Sequence, residues 1–273
     1  MKTFETASFH VVKPCNMKCK YCYATFDDMK VKKQLTLEQS CIILDKLRAA
    51  GVEKITFAGG EPMLYKHLDA SIVYAKSIGF TTSIITNGSR ITISWLEKMR
   101  SHLDWIGLSI DSLDCETNKK IGRESAFAIG SPYELTLKIV RMGYKLKINT
   151  VVNRFNEKEK HMKTFVERVK ASRWKVFDTL KVEGQNDKHF EEIRSTDFER
   201  FIKNNQASVM VPESNEMMIG AYLLIDPTGR LFDDTLGKHT YSSSLLDSGM
   251  EECLAEISLN RDTFIKRGGL YKW

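Results

Sequence analysis

Three cysteines, Cys15, Cys19 and Cys22, fall within the stretch "CNMKCKYC" of a 273-residue chain that holds six cysteines in all. Thiolates are soft metal ligands, and three on one short loop can be turned toward a single centre. Two chemistries fit that spacing. A tetrahedral zinc would want a fourth protein ligand, and the nearest histidine, His10, lies on the apolar run that precedes the loop. An iron–sulfur cluster held by three cysteines leaves one iron open to a small molecule, so the missing fourth ligand becomes an asset. The remaining cysteines, Cys41, Cys115 and Cys253, are scattered and form no CxxC pair, which argues against a second cluster.

Composition bounds the setting. With 42% hydrophobic and 28% charged residues, the chain can bury one sizeable core. No apolar run approaches the roughly 18 residues of a membrane span. The opening MKTFETASFH lacks the apolar region of a signal peptide. A cytoplasmic protein that does not engage a membrane is expected, with thiols reduced rather than paired as disulfides. A net charge of +6 favours anionic partners without choosing among nucleic acid, lipid and a phosphorylated small molecule.

The elements that must position the cysteines alternate. Strand patterns appear in "SFHVVK", "KITFAG", "TTSIIT", "WIGLSI", "KLKINTVV" and "WKVFDTL". Helical patterns between them carry start signals. Thr36 and Gln39 make a capping box, and Ser131, Pro132 and Glu134 supply N-cap, first-turn proline and third-position glutamate. Alternation of this kind predicts an α/β protein with parallel strands, a partial (β/α)6 TIM-type barrel over residues 1–182. After Val182 the rhythm changes. Residues 183–273 read as an extension packed on the barrel, with "AYLLID" as a lone strand candidate.

CxxxCxxC with Tyr21 before its last cysteine resembles the signature loop of the radical S-adenosylmethionine (SAM) superfamily. The next loop adds to the likeness: "AGGEP" follows the second strand as that superfamily's GGEP motif does. The resemblance implies a single [4Fe-4S] cluster on Cys15, Cys19 and Cys22. It also implies SAM held by Tyr21, Gly59, Gly60, Glu61, Asn87, Ser89, Ser109, Asp111 and Arg123, with the methionine amino group at Gly59–Glu61.

The rest of the chain is similar to the viperin family of radical SAM nucleotide dehydratases. The segments that carry the likeness are "NKKIGR", "KINTVVNRFN", "RWKVF", "VEGQN", "VPESN", "AYLLID" and "KRGGLYKW". They share a run of cations read as lying where neighbouring strands emerge. Lys147 and Asn149, like Arg173 and Lys175, are two apart on a strand and face one side. The chain has no Walker A loop, so side chains must hold any triphosphate. The resemblance implies a nucleoside triphosphate surrounded by Lys54, Arg123, Lys147, Asn149, Arg173, Lys175, Glu213, Asn215 and Arg267. Tyr222 would handle a proton or hydrogen near the ribose.

The implied reaction removes the ribose 4′-hydrogen and expels the 3′-hydroxyl as water, leaving a 3′-deoxy-3′,4′-didehydro nucleotide that terminates RNA chains in antiviral defence. An external electron donor of flavodoxin or ferredoxin type is implied as a partner. The animal members' amphipathic membrane helix has no counterpart in this sequence, so a microbial type is expected. Asp234 stands where the animal pattern has a cysteine, and its loop, 231–242, is a candidate for base selection. Two rivals stand beside this reading. One is a radical SAM enzyme acting on a peptide or cofactor precursor, which would usually bring further cysteine groups. The other is a basic zinc-binding nucleic-acid module, which would want an aromatic-interleaved basic stripe that the sequence does not show.

Overall fold

In the computed structural model, residues 4–31 and 33–271 are described. Lys272 and Trp273, which close "KRGGLYKW", lie outside them. The described strands are β1 (Thr6–His10), β2 (Lys54–Ala58), β3 (Thr81–Thr86), β4 (Trp105–Ser109), β5 (Lys145–Val151), β6 (Arg173–Phe177), β7 (Met210–Glu213), β8 (Leu223–Ile225), β9 (Arg230–Asp233) and β10 (Thr240–Ser244). They form one sheet in the order β10-β9-β8-β1-β2-β3-β4-β5-β6-β7. From β8 through β7 the pairing is parallel, and β9 and β10 add on in antiparallel fashion.

This is the expected α/β partial barrel with its strand count revised. Segments after residue 182 supply β7 beside β6 and β8 beside β1. The extension therefore lengthens the sheet at both edges. "AYLLID" does not stand alone, because β7, β9 and β10 accompany it.

Side-chain alternation explains the arrangement. Ile55 and Phe57 of β2, Ile106 and Leu108 of β4, Leu146 and Ile148 of β5, and Trp174 and Val176 of β6 are buried in one continuous apolar core. The residues between them point the other way. Those are Lys54, Thr56, Gly107, Ser109, Lys147, Asn149, Arg173 and Lys175, polar or without a side chain. A self-filling barrel carries bulky branched residues on its inner face. This one lines its interior with hydrogen-bonding groups, the composition of a ligand chamber.

Helices cover the apolar face. The helix Leu37–Ala49 buries Ser40, Ile43, Leu44 and Leu47, one stripe at 3.6-residue spacing, and begins at Thr36 with the capping box complete. Ser131 accepts the Glu134 N–H at the start of Pro132–Arg141. Each such cap contributes about 1 kcal/mol.

Candidate active site

The cysteine loop leaves β1 on the side where the parallel strands end. Cys15 is exposed, and Cys19 and Cys22 are half-buried. The Met17 N–H donates to Cys15 Sγ at 3.4 Å, and the Cys22 N–H to the Cys19 carbonyl at 3.1 Å. Burial pushes all three thiols up, Cys22 to about 12; Cys19 raises Cys15 and Cys22 further, and Asp111 raises Cys19. Such a set gains from a cationic centre that takes up three thiolates. Among the described residues no three His, Cys, Asp or Glu side chains converge on a single metal ion. A single-ion site such as tetrahedral zinc is therefore not formed by these thiols among the described residues. A four-iron cluster does not need that convergence, because each cysteine binds a different iron.

The second loop lies against the first, backbone to backbone. Gly60 donates its N–H to the Val12 carbonyl at 2.7 Å and Glu61 donates to Pro14 at 2.9 Å. A Cβ on Gly60 would sit 2.2 Å from Lys13 O and 2.3 Å from Pro14 O, so glycine alone permits the approach. Gly59 adopts φ +150°, which L side chains rarely adopt. The Glu61 carboxylate, 1% exposed, accepts from Thr86 Oγ1 at 2.6 Å, Asn87 N at 2.9 Å and Met63 N at 3.1 Å. The N–H groups of Gly60 and Glu61 are therefore already engaged, and the Glu61 side chain ties the ends of β2 and β3 together.

Asn87 and Ser89 bond to each other and to Asn16, between the first two cysteines. Asn87 donates to Asn16 Oδ1 at 2.9 Å, and Asn16 donates to Ser89 Oγ at 2.9 Å. Asp111, 1% exposed, forms an ion pair with Arg123, accepts from the Tyr21 hydroxyl, and accepts the Val151 N–H at 2.8 Å. Arg123 also donates to the Ser109 carbonyl at 3.0 Å. Its partners Tyr21, Met17, Ser109 and Asp111 all belong to the cofactor side, so the structure does not bring Arg123 into the cation chamber described next.

Inside the barrel the register aligns Gly107, Lys147 and Arg173 in one row and Ser109, Asn149 and Lys175 in the next. A Cβ on Gly107 would lie 3.1 Å from Lys147 Cε, so the glycine leaves room for that lysine's stem. Lys54 opens β2, Arg173 opens β6, and Lys147 and Lys175 are each the third residue of their strands. The cations therefore lie deep, toward the strand starts. The expectation that they gather where strands emerge is corrected, because inward alternation from those positions points them below the mouth.

From the extension come Arg267, 4% exposed, with its guanidinium 3.6 Å from the Tyr222 ring centre, and Glu213, fully buried. Glu213 pairs with Lys175 and accepts from the Tyr222 hydroxyl, while Arg267 lies 3.7 Å away. Burial alone would raise the Glu213 carboxyl, but Lys175 and Arg267 hold it below its ordinary value. Lys54 is pushed down to about 6 by burial and then by Lys147, Arg173 and Lys175. Lys147 is pushed to about 8 by burial and Arg173, and burial holds Lys175 well below the usual lysine value. Asn149 Oδ1, Asn215 Oδ1 and Arg173 Nε are buried without a hydrogen-bond partner. Among the described residues five cations gather around one carboxylate and Arg173 Nε is a spare donor, which suits a polyanion, whereas the orphaned Asn149 and Asn215 oxygens are acceptors and call for a hydroxyl or N–H group.

Sequence reasoning missed several participants. Tyr271 stacks between Lys54 at 4.6 Å and Arg173 at 4.0 Å, and Trp105 faces Lys54 at 4.5 Å. Gln185 Oε1 accepts from Phe26 N at 2.6 Å, and Asn186 donates to the Tyr21 carbonyl at 2.9 Å. The "VEGQN" segment thereby holds the chain on both sides of Cys22. Tyr271, Gln185 and Asn186 lay in segments that carry the family likeness, and Trp105 in a strand pattern, but none of the four was singled out as a site residue.

Comparison with known proteins agrees with this geometry. The model of the radical SAM superfamily matches residues 11–196. The solved structure of Streptococcus suis SuiB bound to S-adenosylmethionine superposes with a TM-score of 0.66 at 18% identity, over 83% of this chain and 59% of that one, which speaks for the fold. The S-adenosylmethionine-dependent nucleotide dehydratase of Lacinutrix mariniflava is 44% identical over 98% of this chain, which spans 58% of that protein. That of Flammeovirga pacifica is 39% identical over 98% of this chain and 96% of its own. The chain belongs to the radical SAM superfamily and, within it, to the family of S-adenosylmethionine-dependent nucleotide dehydratases. That membership sets aside the zinc-binding module and implies a [4Fe-4S] cluster and SAM as cofactors. The three soft thiols and the glycine-lined cradle beside them fit that pair. No described helix is long and apolar enough to cross a membrane.

Proposed function

We propose that this chain converts a nucleoside triphosphate, CTP, UTP or GTP, to its 3′-deoxy-3′,4′-didehydro analogue, with loss of the 3′-hydroxyl as water. The product is an antiviral RNA chain terminator. The observation that supports this most is the buried cation chamber below the cysteine loop. Bound at that loop, the cluster and SAM supply radical chemistry at an unactivated C–H bond.

Lys54, Lys147, Arg173, Lys175 and Arg267 hold the phosphates, and the orphaned oxygens of Asn149 and Asn215 accept from hydroxyl groups of the nucleoside. A triphosphate seated there directs its nucleoside toward the cysteines, and the barrel wall excludes water. The Tyr222 hydroxyl, set between Lys175 at 2.9 Å and Glu213, is placed to hold or hand over a proton. Gly59, Gly60, Asn87, Ser89, Ser109 and Tyr21 form the SAM side, with Glu61, Asp111 and Arg123 fixing its walls. Residues 1–182 act as the radical SAM core, and 183–273 complete the nucleotide chamber. The chain works in the cytoplasm, with an external one-electron donor and without nucleic acid.

Anaerobic incubation of reconstituted protein with SAM, dithionite and each triphosphate separately tests this. A product lighter by one water with one triphosphate, and no 5′-deoxyadenosine from Cys15→Ala, is the expected result. Slow 5′-deoxyadenosine formation that no triphosphate accelerates would overturn the nucleotide assignment.

A further inference from the structure

The cysteine loop does not meet solvent alone. The Lys18 N–H donates to the Gly122 carbonyl and the Lys20 N–H to the Ile121 carbonyl, both at 3.0 Å. These bonds clamp the end of the helix Cys115–Ile121 onto the loop. The clamp is tight, because a Cβ on Gly122 would sit 2.0 Å from Lys18 O.

Its consequence is a basic rim. Lys18, Lys20, Lys119 and Lys120 are all exposed, and none of them forms an ion pair among the described residues. Lys20 is steadied over the Phe155 ring at 4.7 Å. The acids nearby are Asp114, engaged in capping the helix, Glu116 at the far end of that helix, Glu124, and Glu191, which lines the same cleft as Lys20 and is paired with Arg154. Lys18 and Lys20 flank Cys19, so the rim is built on the metal-binding loop itself.

None of these lysines touches the cation chamber, so the nucleotide does not account for them. Electron transfer weakens steeply with distance, and a donor must therefore sit on the surface nearest the cluster. Redox encounters are small and are governed by complementary charge. We infer that Lys18, Lys20, Lys119 and Lys120 form the docking face for an acidic one-electron carrier protein of flavodoxin or ferredoxin type. The carrier loses one electron, the cluster held by Cys15, Cys19 and Cys22 gains it, and no group is transferred. The inference rests on the cluster, not on the choice of nucleotide.

The test measures binding of an acidic flavodoxin to the full reconstituted chain at several salt concentrations, without nucleotide. It also measures the rate at which the reduced flavodoxin bleaches the cluster. Lys119→Glu/Lys120→Glu should weaken binding about tenfold or more, flatten its salt dependence and slow bleaching by flavodoxin. Bleaching by dithionite should be unchanged. Lys163→Glu/Lys203→Glu removes the same charge from exposed positions elsewhere and should leave binding near wild type. If the charge reversal lowers iron content, Lys119→Gln/Lys120→Gln carries the same comparison. Unchanged flavodoxin affinity in the rim variants, or an equal loss in the distant pair, overturns the inference. So does lysine-dependent, salt-sensitive binding of an RNA oligonucleotide by a chain that ignores flavodoxin. Dithionite-driven nucleotide turnover reports on the proposed reaction independently.

Discussion

Lys175 on β6 and Glu213 on β7 form an ion pair sealed inside the barrel, and the Tyr222 hydroxyl touches both. A buried pair of this kind adds little net stability, yet removing one partner leaves an uncompensated charge and costs about 3–5 kcal/mol. Glu213→Gln should therefore lower the stability of the ligand-free protein by that order. Saturating triphosphate should narrow the gap, since phosphate replaces the missing anion. Thermal unfolding of both proteins with and without nucleotide checks this.

Lys175→Ala should weaken triphosphate binding by about 2 kcal/mol, roughly thirtyfold in Kd. Slow 5′-deoxyadenosine formation should persist, because the SAM side is built from other residues. Normal turnover of CTP, GTP and UTP would remove Lys175 from the phosphate site.

Tyr222→Phe keeps the ring under Arg267 and deletes only the hydroxyl. 5′-Deoxyadenosine should still form while dehydrated nucleotide falls by about a hundredfold or more, the usual scale of a lost proton-transfer group. Quantifying both by mass spectrometry in one reaction decides it, and equal yields would make Tyr222 a packing residue.

The depressed lysines give pH dependence a sign. Lys54 titrates at about 6 in the folded chain against an ordinary 10.5, so between those values the unfolded state binds the extra proton. Its contribution to ligand-free stability therefore rises with pH across that window. Lys147, lowered to about 8, acts likewise between 8 and 10.5. A triphosphate reverses the preference by stabilising the charged forms. Binding should take up protons at neutral pH and weaken as pH rises from about 6 toward 9. Calorimetric titrations in buffers of different ionisation enthalpy would show the uptake.

Gly122 sits at φ 91° with no space for a Cβ. Gly122→Ala should cost about 1–3 kcal/mol of local strain. It should also loosen the cysteine loop, read as lower iron retention after desalting with unchanged far-ultraviolet circular dichroism.

Much of this architecture was legible in the sequence for identifiable reasons. The first six strands carry apolar outer faces, and the helices before β2, β4 and β5 begin at side-chain caps, so local pattern and global fold agree. The cysteines announce themselves because their spacing needs no fold to be read. β7 was invisible: it is a four-residue edge strand containing Pro212, tolerated there because an edge need not donate every N–H. β10, "TYSSS", reads as polar loop and is a strand only because β9 pairs with it. The depth of the cations also required the register, since sequence says that Lys147 and Arg173 face one way but not how far down the barrel they lie. Asn16 gave no signal at all, for its partners Asn87 and Ser89 are distant in the chain.

β8 reaches β1 only after more than two hundred intervening residues have been made, while β1 through β6 and the cysteine loop precede it in the chain. On the ribosome, the half that generates a radical is therefore translated before Glu213, Tyr222 and Arg267, the residues that complete the chamber for its target. A chain interrupted near residue 205 would carry the cysteines and most of the cations but neither closing edge of the sheet. In such a fragment the cysteine loop would lack the residues that close the chamber beneath it, so both edges of the sheet must be made before cofactor and target can be held together.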